Sequence, residues 1–134
     1  RKKSISFIQE HDAFSFLQTA IPNLFGEKFR KENGRDINCL IEAGKSFSKE
    51  ALIAYYKAMI LRPDRTNVLK GSKVPVLFVL GMEDQAVNIN DALKQVSLPS
   101  ISYFHVLNNV GHMGMLEAAQ GLNSIIFKYL SEIV

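Results

Sequence analysis

One apolar run constrains this chain more than any other feature: Val74-Pro75-Val76-Leu77-Phe78-Val79-Leu80, closed by Gly81. A continuous β-branched and aromatic run of this kind, with no polar alternation, has the character of a strand buried on both faces of a parallel sheet. Pro75 stands at its beginning, where a missing ladder donor is tolerated. A second β-favouring run covers Ile101 to Leu107, and Asn90 to Val96 between them has the pattern of a short helix. A last amphipathic helix is expected from Leu116 to Leu130, with Leu122, Ile125, Ile126, Tyr129 and Leu130 on its apolar side. The order β-α-β-α predicts parallel strands joined by a right-handed crossover, hence an α/β fold. Two parallel strands do not make a stable sheet alone, so a further part of the fold, or self-association through exposed sheet edges, is expected to complete it.

Before residue 70 the pattern is helical throughout. One helix is expected over Ser4 to Leu17, a break at Ile21-Pro22-Asn23, and a short segment from Leu24-Phe25-Gly26. A polar turn follows at Lys31 to Asp36, then helical turns from Asp36 to Ala43 ended by Gly44. The clearest helix is opened by Ser48 as cap, has Glu50 in its first turn, and ends before Pro63. Two parts are therefore expected, 1–70 and 71–134.

Composition narrows the class. The 134 residues are 47% apolar and 22% charged, values of a soluble globular chain. Sixteen basic and thirteen acidic residues are dispersed except for Arg1-Lys2-Lys3, so no nucleic-acid footprint is expected. No apolar run approaches the roughly 20 residues that span a bilayer, so no membrane segment is expected. The single Cys39 has no partner for an internal disulfide, which suits a reducing compartment, and a cytoplasmic location is expected. The chain opens on Arg rather than Met, directly in a helix-like pattern, as a portion of a longer protein would. Three scattered histidines and one cysteine lack ligand spacing, and no phosphate-cradling loop precedes a helix, so neither a metal nor a cofactor is implied.

Two groups that could carry chemistry stand directly after the strands, at the carboxyl edge where open α/β sheets place their sites. They are Asp84 in Gly81-Met82-Glu83-Asp84 and His112 in Val110-Gly111-His112. The helix and strand between them are enough to set two neighbouring strand ends side by side. A carboxylate that accepts from an imidazole fixes its tautomer and frees the other ring nitrogen to take a proton from a nucleophile. Met113 and Met115, flanking the histidine, and Tyr55 and Met59 in the helical part are candidates to line a substrate pocket. His11 and His105 are expected to be packed or hydrogen-bonded, and Glu117 to bond nearby backbone or cap the last helix.

Pro75 to Asp84, followed by Asn109-Val110-Gly111-His112-Met113-Gly114-Met115-Leu116-Glu117, resembles the closing section of the α/β-hydrolase superfamily. Ala58 to Asp64, followed by Leu69, resembles the end of the helical lid in its esterase and peroxidase-like branch, and the likeness covers about Lys45 to Leu130. The resemblance implies that 1–70 is a lid and 71–134 the C-terminal part of the core. It also implies that Asp84 is the acid and His112 the base of a catalytic triad. The family's nucleophile sits upstream of the lid in a tight elbow, normally Gly-x-Ser-x-Gly. Ala43-Gly44-Lys45-Ser46-Phe47 is the nearest imitation here, and without a second glycine or a preceding strand it does not qualify Ser46. The expected function is hydrolysis of a small ester by a Ser-His-Asp triad, of which this chain supplies the acid and base. By itself it would be inert. Two alternatives remain open: an Asp nucleophile, as in haloalkane dehalogenases and epoxide hydrolases, and a hydrolase-like protein that binds a ligand without turnover.

Overall fold

A computed structural model describes residues Arg1 to Ile133. In chain order its elements are α1 (Lys2–Glu10), α2 (Ala13–Ala20), α3 (Glu27–Glu32), α4 (Gly34–Ala43), α5 (Lys49–Leu61), α6 (Thr66–Lys70), β1 (Val76–Gly81), α7 (Ile89–Val96), β2 (Ser102–Leu107), α8 (Gly114–Glu117) and α9 (Ala119–Ile133). They form two compact units, one of Arg1–Asn23 with Glu32–Pro63, the other of Leu24–Lys31 with the chain from Asp64 onward. The division thus differs from a single boundary at residue 70, because Leu24–Lys31 and the residues of α6 group with the strands.

In the helical unit Ile8, Ala13 and Leu52 are buried, with Phe16, Leu17, Ile53 and Tyr56 packed around them. Full burial of a side chain such as Ile8 contributes about 1.5–3 kcal/mol. Where one helix was expected over Ser4 to Leu17 there are two. At the break the Asp12 carboxylate accepts the Ser15 N–H at 2.8 Å and the Ser15 hydroxyl at 2.5 Å, so the chain starts α2 afresh instead of extending α1. The polar stretch Lys31 to Asp36 is helical on both sides of Asn33 rather than a turn. Gly44 does end α4, but in a right-handed conformation; a Cβ there would lie 2.8 Å from Leu17 Cδ1, the far end of a side chain that can shift. Ser48 Oγ accepts the Ala51 N–H at 3.1 Å and opens α5.

In the second unit β1 and β2 are parallel, in register from Val76 opposite Ser102 to Gly81 opposite Leu107. Tyr129 of α9 donates its hydroxyl to the Pro75 carbonyl at 2.7 Å and meets Tyr103 edge-on at 5.3 Å, which fastens α9 to the entry of β1 and to β2. The expected burial on both strand faces is not met: β1 is half-buried along its length and Phe104 of β2 is 54% exposed. Among the described residues the sheet has two strands, too few to shield both faces. The last helix is also split, α8 turning before α9 begins, and this short turn carries Glu117 back toward the loop after β2. No helix among the described residues is long and apolar enough to cross a membrane.

Candidate active site

The acid loop leaves β1 at Gly81, where the chains approach so closely that a Cβ would lie 2.1 Å from the Gly111 carbonyl oxygen. Only glycine fits there. Beyond it, the Met82 N–H donates to the Leu107 carbonyl at 3.0 Å and the Glu83 N–H to the Val110 carbonyl at 2.9 Å, so this loop is stitched to the one leaving β2. Asp84 then folds its carboxylate over its own turn. Oδ1 accepts the N–H groups of Ala86 at 2.8 Å and Val87 at 2.9 Å, leaving Oδ2 directed at the neighbouring loop.

The base loop leaves β2 through Asn109, whose φ of 57° lies in the left-handed region that asparagine tolerates better than most residues. Val110 is buried, and His112 follows with its ring Nδ1 2.8 Å from Asp84 Oδ2. Asp84 and His112 are thus brought together, the carboxylate 13% and the imidazole 41% exposed. An ionised carboxylate only accepts. With Asp84 ionised, the bond therefore holds the proton on Nδ1 and leaves Nε2 as the proton acceptor. The pair opens on a cleft of 290 Å³, lined also by Val87, Ile89, Val110 and Met115.

Part of this arrangement is not foreshadowed by the strand-and-loop pattern. The segment Leu24 to Glu27, remote in sequence, runs against both loops. The Leu24 carbonyl accepts the His112 N–H at 2.7 Å, the Gly26 N–H donates to Glu117 Oε2 at 2.7 Å, and the Glu27 N–H to Glu83 Oε2 at 2.6 Å. Glu117 also accepts the N–H groups of Gly111 at 3.0 Å and Met113 at 3.1 Å. A Cβ on Gly26 would lie 2.8 Å from the Asn109 carbonyl oxygen, so this glycine is required by close approach. The sequence signals were Gly26 and the acidic residues beside each motif, each too common to be read alone.

Of the other expected site residues, Met115 lines the cleft, whereas Met113 contributes its backbone to Glu117 and is absent from the cleft lining. Tyr55 and Met59 lie on α5 in the helical unit, where they line an open depression with Leu52, Tyr56 and Leu61. His105 is half-buried within β2, opposite Val79. His11 follows α1 with its ring 4.3 Å from that of Phe7. The Ser46 hydroxyl donates to the Ala43 carbonyl at 3.0 Å. Among the described residues no group of three or more His, Cys, Asp or Glu side chains could hold a metal ion.

No protein-family model matches the chain, and no curated protein matches it in sequence. Solved structures do. A thermophilic esterase from Thermogutta terrifontis superposes with a TM-score of 0.84 at 20% identity, over 98% of this chain and 48% of its own. An enol-lactonase from Burkholderia xenovorans LB400 gives 0.85 at 15% identity, over 96% and 49%. An esterase from Exiguobacterium antarcticum gives 0.79 at 18%, over 97% and 47%. The chain spans about half the length of the structures it matches. Its parallel strands, their helices and the helical unit together have the fold of the C-terminal part of an α/β-hydrolase.

Proposed function

We propose that this chain supplies the acid and base of a hydrolase acting on small carboxylic esters, with the nucleophile, a serine, lying outside these 134 residues. The observation that carries this is the 2.8 Å bond from His112 Nδ1 to Asp84 Oδ2 at two adjacent strand ends, beside a cleft. His112 Nε2 takes the proton of the serine hydroxyl as its oxygen attacks the acyl carbon, and Asp84 stabilises the imidazolium formed. The imidazolium then gives that proton to the departing alcohol oxygen. Water repeats the cycle on the acyl-enzyme. Similarity in fold to esterases and to an enol-lactonase supports acyl chemistry of this kind, since esters and lactones share the acyl carbon–oxygen bond that breaks. The helical unit is the proposed lid, with Tyr55 and Met59 among its substrate-selecting residues, and Met115 lines the cleft beside the base.

The test is aryl-ester hydrolysis by the complete protein and two variants. His112→Ala is expected to lower kcat by about 10³-fold or more, and Asp84→Asn by about as much, because the amide donates to Nδ1 and moves the ring proton to Nε2. Both variants should remain folded by circular dichroism. A folded His112→Ala protein of unchanged rate contradicts the assignment.

A further inference from the structure

We infer that Glu117 is a positioning residue for His112, acting by tying the base loop to the Leu24–Glu27 segment, whose next amide is held by Glu83 beside the acid. The inference rests on the hydrolase reading for its effect on rate. Three consecutive amides of the base loop are engaged: Gly111 and Met113 donate to the Glu117 carboxylate, and His112 between them donates to the Leu24 carbonyl. The backbone carrying the imidazole is thereby fixed on both sides, and only the ring torsions remain for the bond to Asp84 to set. The Leu24–Glu27 segment is fixed in turn, since Gly26 donates to Glu117 and Glu27 to Glu83. Acid loop and base loop are therefore referenced to one short piece of chain as well as to each other. These amides open α3, where the first N–H groups of a helix have no partner inside it. Carboxylates from α8 and from the acid loop, both distant in sequence, take that role.

The two glutamates differ in what they must do. Glu117 serves three backbone donors with two oxygens, Gly111 being shared between them. A glutamine there offers one acceptor oxygen and presents an NH₂ group to at least one N–H, so a near-isosteric change breaks the tie. Glu83 Oε2 accepts the Glu27 amide, and a glutamine carbonyl replaces that acceptor without loss.

Ester hydrolysis by the complete protein tests this in four variants: Glu117→Gln, Glu83→Gln, His112→Ala, and Glu117→Gln combined with His112→Ala. Displacement of a catalytic group by about 1 Å costs on the order of 10²-fold. Glu117→Gln is therefore expected to lower kcat about tenfold to a hundredfold with KM within about twofold, and Glu83→Gln to stay within about threefold of wild type. In the His112→Ala background, Glu117→Gln is expected to have no further effect, because its influence passes through the imidazole. Equal losses in both backgrounds, a change confined to KM, or a Glu83→Gln as damaging as Glu117→Gln overturns the inference while leaving the hydrolase reading in place. Absence of His112-dependent turnover in the wild-type protein overturns that reading, and the inference with it. If Glu117→Gln does not fold, amide hydrogen exchange of the wild-type protein decides. Gly26, Gly111 and Met113 are expected to exchange slowly and together, and fast exchange at Gly111 and Met113 overturns the tie.

Discussion

Asp84 divides its labour between two oxygens, one closing its own turn on Ala86 and Val87, the other directed at His112. This fixes the carboxylate before any imidazole arrives, so the hydrogen bond orients the ring rather than the reverse. Asp12 uses the same device for a different end, its two oxygens taking the hydroxyl and the N–H of Ser15 at the start of α2. The Ser15 hydroxyl, and after it the Ser15 N–H, hold the Asp12 carboxyl below its ordinary value. The folded pKa is thus the lower one, so the contribution of this cap is complete above the unfolded value and is lost as pH falls through the folded one. Acid titration is therefore expected to release the start of α2 below about pH 4, the ordinary carboxylate range. The Ser15 amide chemical shift would report it, and Asp12→Asn should keep the cap and abolish that pH dependence. An unchanged titration in Asp12→Asn would assign the transition to another group.

At the scale of elements, β1, α7, β2 and α5 were legible because their patterns are local: apolar runs, a capping Ser48, a stop before Pro63. The loops bearing Asp84 and His112 were legible because each directly follows a strand. The break at Asp12 was missed because the apolar spacing from Ile5 to Leu17 suits one helix and only a side-chain bond to Ser15 interrupts it. The attachment of Leu24–Glu27 to the strand loops was missed because backbone bonds to Glu83, Glu117 and His112 leave no periodicity. Burial of the strands was overestimated because apolar composition reports what a strand is suited to, not what covers it. Gly81 sets how near the two loops approach, and Gly111 how near the base loop comes to the backbone of Leu24 to Gly26. Gly81→Ala places a methyl where the Gly111 carbonyl lies, and is expected to destabilise by about 1–3 kcal/mol while parting Asp84 from His112. A denaturant midpoint together with the hydrolysis rate checks it. Loss of stability without loss of rate would show that the loops separate without disturbing the pair.

At the scale of the molecule, the described chain has a two-stranded sheet with apolar side chains such as Phe104 and Phe127 exposed, the latter to 72%. It spans about half of each esterase or lactonase that it matches. Both observations support the proposal that the remaining catalytic group comes from outside this sequence. The most direct test is to treat the complete protein with an aryl fluorophosphonate, which phosphonylates an activated serine, and to map the modified peptide by mass spectrometry. The account predicts a single modified serine outside these 134 residues, labelled much more slowly in His112→Ala. Modification of Ser46 or any other serine within this chain, or labelling indifferent to His112, would contradict it.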